Sequence, residues 1–174
     1  MKKIKLIMIF INICLSFLVH FMYNWFPSTF TSIFFPVNES IWEHMKIIYT
    51  CLLISSIIEY IIYKKKKINV NNFYINIPII SILGIITYLI LYLPLDKIFS
   101  HNLILAIIIL FIVFTLSEIM SYYILKFKKI KNEKIIGIFL IILSYIIFTY
   151  LTYNPIKNNL FLDRQTNTYG IKKD

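Results

Sequence analysis

Between Asn38 and Lys46 the chain reads Asn-Glu-Ser-Ile-Trp-Glu-His-Met-Lys, setting two carboxylates, an imidazole and an indole at the start of a long apolar stretch. Ionisable groups at the end of a membrane-length helix are costly, so their presence calls for a reason. The chain has two other histidines, His20 and His101. Neutral imidazoles with a carboxylate form a good ligand set for zinc or another borderline divalent metal. Three protein ligands and one open position are what a metal needs to activate water. The candidate metal ligands are therefore His20, His44 and His101, with Glu39 or Glu43 as a fourth ligand or as the catalytic base. Glu39 and Glu43 are four residues apart and share a helix face. His44 points about 100° away from Glu43, so the two can line one cavity without stacking. No His-Glu-x-x-His motif is present, so the metal reading rests on whether the three histidines share one depth.

The elements that must position these groups follow from composition. Hydrophobic residues make up 59% of the 174, only 15% are charged, and the mean hydropathy is +0.78, well above a soluble domain. A net charge of +10 suggests nucleic acid in a soluble chain, but here the lysines cluster where a membrane protein places cytoplasmic loops. Nucleic-acid binding and a soluble enzyme are excluded. The partner is the lipid bilayer of a bacterial cell membrane. Crossing a ~30 Å core takes about 20 helical residues. Five such spans can be drawn, at Leu6–Phe26, Ile41–Tyr63, Phe73–Leu95, Ile98–Leu125 and Ile135–Tyr153. The expected fold is an all-α integral membrane bundle, with residues 1–154 as the five-helix domain and 155–174 as a polar extracytoplasmic tail.

Orientation follows from lysine. Lys2, Lys3, Lys5, Lys64 to Lys67, Lys126, Lys128, Lys129, Lys131 and Lys134 fall on one side, twelve of the eighteen basic residues. The positive-inside rule makes that side cytoplasmic, with the N-terminus inside and the C-terminus outside. The first span has no Ala-x-Ala-like cleavage site and reads as a retained signal anchor.

Depth then follows from helical rise. His20 lies about 22 Å up the first span, while His44 and His101 each lie about 7 Å in from the outer surface. All three histidines fall in one outward-facing slab with Glu39 and Glu43, and Asn38, Trp42, Asn24 and Asn102 lie close by. Glu59 and Glu118 come out near the opposite face, beside Ser55, Ser56, Ser117 and Ser121. There they either pair with loop lysines or form an inner gate or proton relay.

Part of the motif has a structural explanation. Ser40-x-x-Glu43 is a capping box, acidic residues suit the first turn of a helix, Lys46 can pair with Glu43, and Trp42 with Trp25 fits an aromatic belt. These arguments leave Glu39 and His44 unaccounted for. The Asn38-Glu39-Ser40 sequon is read as coincidental.

Two strings, His20-Phe21-x-Tyr23-x-Trp25 and Asn38-Glu39-Ser40-x-Trp42-Glu43-His44-x-Lys46, resemble an uncharacterised family of small multi-pass membrane proteins from Gram-positive bacteria, one labelled as a domain of unknown function. The tail Asp163-x-x-Thr166-x-Thr168-Tyr169-Gly170-Ile171 is similar to that family's C-terminal end, with Asn167 where glycine is expected. The resemblance implies a shared membrane fold and a shared outer site, and it implies no activity.

Phe26 to Val37 is too short and too interrupted by Pro27 and Pro36 to span. It is expected in the outer interface, as a lid over the cluster or as an aromatic anchor. The tail's Asn-Thr-Tyr-Gly reads as a turn, in a tail either folded back on the cluster or loose. Cys14 and Cys51 are expected mid-bilayer as small apolar packers. Three readings stay open. One is a metal-assisted hydrolase or transferase acting on a lipid or peptide at the outer leaflet. Another is an ion- or proton-binding transport module that uses Glu59 and Glu118. The third is a structural subunit whose polar cluster only locks the helices together.

Overall fold

A computed structural model describes residues 1–99 and 102–171. Six helices run in order: α1 (Lys2–Trp25), α2 (Thr29–Phe34), α3 (Ile41–Lys65), α4 (Phe73–Phe99), α5 (Leu103–Ile124) and α6 (Glu133–Tyr153). A two-stranded antiparallel hairpin follows, with β1 (Leu162–Asp163) pairing Leu162 to Tyr169 and Asp163 to Thr168 of β2 (Thr168–Tyr169). All helices except α2 are long and apolar enough to cross a membrane, so the chain is a five-span helical bundle.

The least hydropathic span is the central one. In α3, 61% of the most apolar window is buried, against at most 33% in the other spans. Its polar side chains are affordable only because neighbouring helices satisfy them. Helix α1 packs on α3 and α5, α4 packs on α3, α5 and α6, and α2 docks on α6. Phe10, Ile90, Phe111, Ile135 and Phe139 point outward, fully apolar and exposed, as lipid contact requires.

Helix ends are tied across the bundle at the lysine-rich end. The Glu133 carboxylate accepts the N–H groups of Tyr74 (3.0 Å) and Ile75 (3.4 Å), two of the donors that a helix start leaves orphaned. Buried Asn72 donates to the carbonyls of Ile124 and Lys128 and accepts from Ile130 N–H at 2.7 Å. Helix α4 continues through Pro78 and through Pro94 to Phe99. The fourth span therefore begins at Leu103 rather than Ile98, and Asn102 is its N-cap, accepting Leu105 N–H at 3.1 Å.

At the other end the tail is an ordered structure. Asp163 accepts the Gln165 N–H at 2.9 Å and the Thr166 hydroxyl at 2.8 Å. Asn167 takes a left-handed conformation (φ 54°), which asparagine tolerates better than most residues. The tail folds back on the bundle: Trp42 N–H donates to Leu160 O (2.9 Å), Asn38 Nδ2 to Gly170 O (2.8 Å), and Arg164 pairs with Asp96 (2.6 Å). Gly170 (φ 64°) is required there, because a Cβ would sit 2.7 Å from Thr152 O.

Candidate metal centre

The segment from Asn38 to Lys46 straddles the start of α3, and its side chains divide by direction. Ser40 is the N-cap, its Oγ accepting Glu43 N–H at 3.3 Å. Asn38 Oδ1 accepts Ser40 N–H at 2.9 Å, and its Nδ2 is held by the tail. This closes the turn that carries Glu39. One turn into the helix, His44 faces α1, whose residues 12, 16 and 20 share a face at helical spacing.

His20, Glu39 and His44 converge. His20 Nε2 lies 3.5 Å from Glu39 Oε1, and His44 Nε2 lies 3.6 Å from Glu39 Oε2. The two rings are 5.5 Å apart, and one ligand atom from each of the three residues falls within 4.8 Å of the others. Ligands about 2.05 Å from a tetrahedral metal are separated by about 3.3 Å, so the two nitrogen–oxygen distances are close to those of a ligand shell. His44 Nδ1 lies 2.8 Å from Ser40 O. A carbonyl can only accept, so Nδ1 carries a proton and Nε2 is the nitrogen turned toward Glu39, as in metal sites oriented by an outer hydrogen bond. The three side chains are 25 to 30% exposed, so water and an ion can reach them. Below them lies a cavity of about 290 Å³ between α1, α3 and α5, where His20, His44 and Ser16 meet Phe17, Ile47 and Leu110.

Glu43 does not join this group. Its carboxylate is buried on the opposite side of α3, 2.6 Å from Lys46 Nζ, and it accepts from Thr152 Oγ1 (2.7 Å) and Val37 N–H (3.1 Å). The capping box is thus half formed, because Glu43 reaches back to Val37 while Asn38 takes the Ser40 N–H. Lys46 also donates to Ser32 O (2.9 Å) and Thr152 Oγ1 (3.0 Å), which docks α2 against α3 and α6. Helix α2 therefore serves as an anchored wedge. Trp42 stacks on Phe161 of the tail (4.8 Å) and meets Phe148 of α6 (5.3 Å); this packs it inside the protein rather than in a lipid-facing belt. Asn102 is a cap, and His101 lies outside the described residues.

Glu59 and Glu118 do meet, at the opposite end. Their partner is Lys5 on α1, not a loop lysine: Lys5 Nζ is 2.8 Å from Glu59 Oε2 and 3.0 Å from Glu118 Oε2. Sequence reasoning missed Lys5 as a buried partner because it looks like an interface charge, whereas the expected pairing of Lys46 with Glu43 is present and buried. Spacing held the signal: Lys5 lies on the Asn12–Ser16–His20 face of α1, and Lys46 follows Glu43 by three.

A family model described as a family of unknown function, DUF6512, matches residues 1–171, and the chain belongs to that family. No curated protein and no solved structure matches it.

Proposed function

We propose that this chain is a membrane-embedded metal protein in which His20, Glu39 and His44 hold one divalent ion, and that it carries out hydrolysis or group transfer on an amphiphile at the outer leaflet. The observation that carries the reading is the convergence of two imidazoles and one carboxylate from α1, the turn before α3 and α3, at ligand-like separations and above an apolar cavity. Two imidazoles and a carboxylate suit zinc, with a fourth position left open. Such an ion supplies a nucleophilic water and polarises a carbonyl or phosphoryl oxygen. The residues themselves do the holding: Ser40 O sets the His44 tautomer, and Asn38 fixes the turn that presents Glu39. Glu39 is a ligand in this reading, and Glu43 is a structural ion-pair partner. The apolar cavity favours a lipid chain over a peptide, whose backbone polar groups would find few partners there. The lysine-rich end is taken as cytoplasmic, which turns the site outward.

Zinc titration of metal-stripped protein in detergent tests this. Both imidazoles must be neutral to bind, so protons compete with the metal and affinity falls as the pH is lowered. One equivalent should bind tightly near pH 7.5, and markedly more weakly in acid, where protonation of the two imidazoles competes with the ion. Absence of saturable binding under both conditions would refute the site.

A further inference from the structure

A second polar cluster lies at the lysine-rich end, well away from the histidines. Every N–H of the Lys5 ammonium is committed there, to Glu59, to Glu118 and to the Ser121 hydroxyl. Glu59 Oε1 accepts from Tyr63 OH at 2.8 Å, and Glu118 Oε1 accepts from Asn12 Nδ2 at 3.0 Å. Asn76 Nδ2 donates to the same Ser121 hydroxyl at 2.9 Å. Lys5, Glu59 and Glu118 are each at most 5% exposed. Two carboxylates against one ammonium leave the cluster short of one positive charge, a costly state in a low-dielectric interior.

An independent observation points the same way. The side-chain oxygens of Asn12 and Asn76 are buried without a partner, and both residues are 0% exposed. Each amide already bonds into the cluster through its nitrogen, which places the idle oxygen on the cluster's rim. Turning the Asn12 amide over would set its oxygen against a carboxylate oxygen, so the network fixes Asn12; Asn76 meets a hydroxyl that can donate or accept, which leaves the Asn12 oxygen as the assigned unused acceptor. An unused acceptor beside surplus negative charge is what a small cation needs. A groove of about 370 Å³ between α1 and α5, walled mainly by Leu6, Ile9, Ile119 and Tyr123, reaches Lys5 and Glu118 of the cluster. Lys2 from α1 and Tyr122 and Tyr123 from α5 are the other titratable groups on that groove, Tyr63 bonds Glu59 from α3, and among the described residues α4 contributes the neutral Asn76.

We propose that this cluster binds one monovalent cation, a proton or an alkali ion such as sodium, independently of the metal centre at the opposite end. The test uses full-length protein in lipid nanodiscs, as wild type and as Glu118→Gln, which removes the surplus charge while keeping the shape. Melting temperature is measured in sodium and in choline at equal ionic strength. The infrared C=O stretch of a protonated carboxyl is recorded in H₂O and D₂O. A sodium-dependent rise of several degrees in wild type, absent in Glu118→Gln, identifies an alkali ion. No sodium effect, with a protonated-carboxyl band that the variant lacks, identifies a proton. Neither signal in wild type overturns the proposal. Glu59→Gln carries the same readouts if Glu118→Gln does not fold, and failure of both to fold contradicts the charge argument. His44→Ala should leave either signal unchanged.

Discussion

Asn38 shows how the proposed metal site is held by atoms outside its ligand set. Its carbonyl fixes the Ser40 N–H and its amide grips Gly170 O, so the turn bearing Glu39 is tied to the helix on one side and to the tail on the other. Asn38→Ala frees that turn while leaving all three proposed ligands in place. Outer-shell losses of this kind cost 10- to 100-fold in metal affinity, and zinc titration of the variant should show a drop in that range with the helical circular dichroism unchanged. At this scale the sequence was informative where helical geometry is rigid. Depth put His20 and His44 in one slab with Glu39, but their convergence also needs α1 to pack beside α3, which depth does not give. Glu43 could not be placed the same way. Its direction, about 100° from His44, admits either a shared cavity or the opposite side of α3. The choice was made by Lys46 and Thr152, one of them a long-range partner.

Helix α1 carries a polar stripe, in which Lys5, Asn12, Ser16 and His20 recur at helical spacing on one face, from the inner cluster to the histidine site. The stripe is readable in the sequence, as is the lower hydropathy that makes α3 central. The course of α4 was less so. Pro78 cannot donate to Tyr74 O, and the backbone of α6 presses on that same carbonyl through Gly137, where a Cβ would lie 2.4 Å from the oxygen and 2.3 Å from its carbon. Backbone cannot yield as a flexible side chain does. Gly137→Ala should therefore push α6 off α4 at a cost of about 1–3 kcal/mol, typical of overpacking, read as a lower melting temperature in detergent. Gly84→Ala is the control, since its Cβ would meet only side chains, at 3.0 Å or more. An unaltered Gly137→Ala melt would mean that the α4–α6 crossing is looser than described. Nothing in the local pattern announces this contact, because it depends on which helices become neighbours.

The whole molecule is an up-and-down bundle with its lysine loops at one end and its histidine site, α2 and hairpin at the other. Hydropathy gave the five spans, and the hairpin was foreshadowed only by a turn, since its partners Asn38, Trp42 and Asp96 are distant in sequence. Positive-inside reasoning predicts the orientation, with the lysine loops inside. In a background lacking Cys14 and Cys51, a membrane-impermeant maleimide should label Asn159→Cys in intact cells and leave Lys129→Cys unlabelled until the cells are opened. The reverse pattern would place the histidine site on the cytoplasmic side.

The central claim is that His20, Glu39 and His44 form a metal centre. Elemental analysis of the purified, detergent-solubilised protein beside His44→Ala tests it most directly. Near-stoichiometric zinc, or another divalent transition metal, in wild type and its loss in a folded His44→Ala variant is the predicted result. Metal absent from both proteins, or equally present in both, would contradict it.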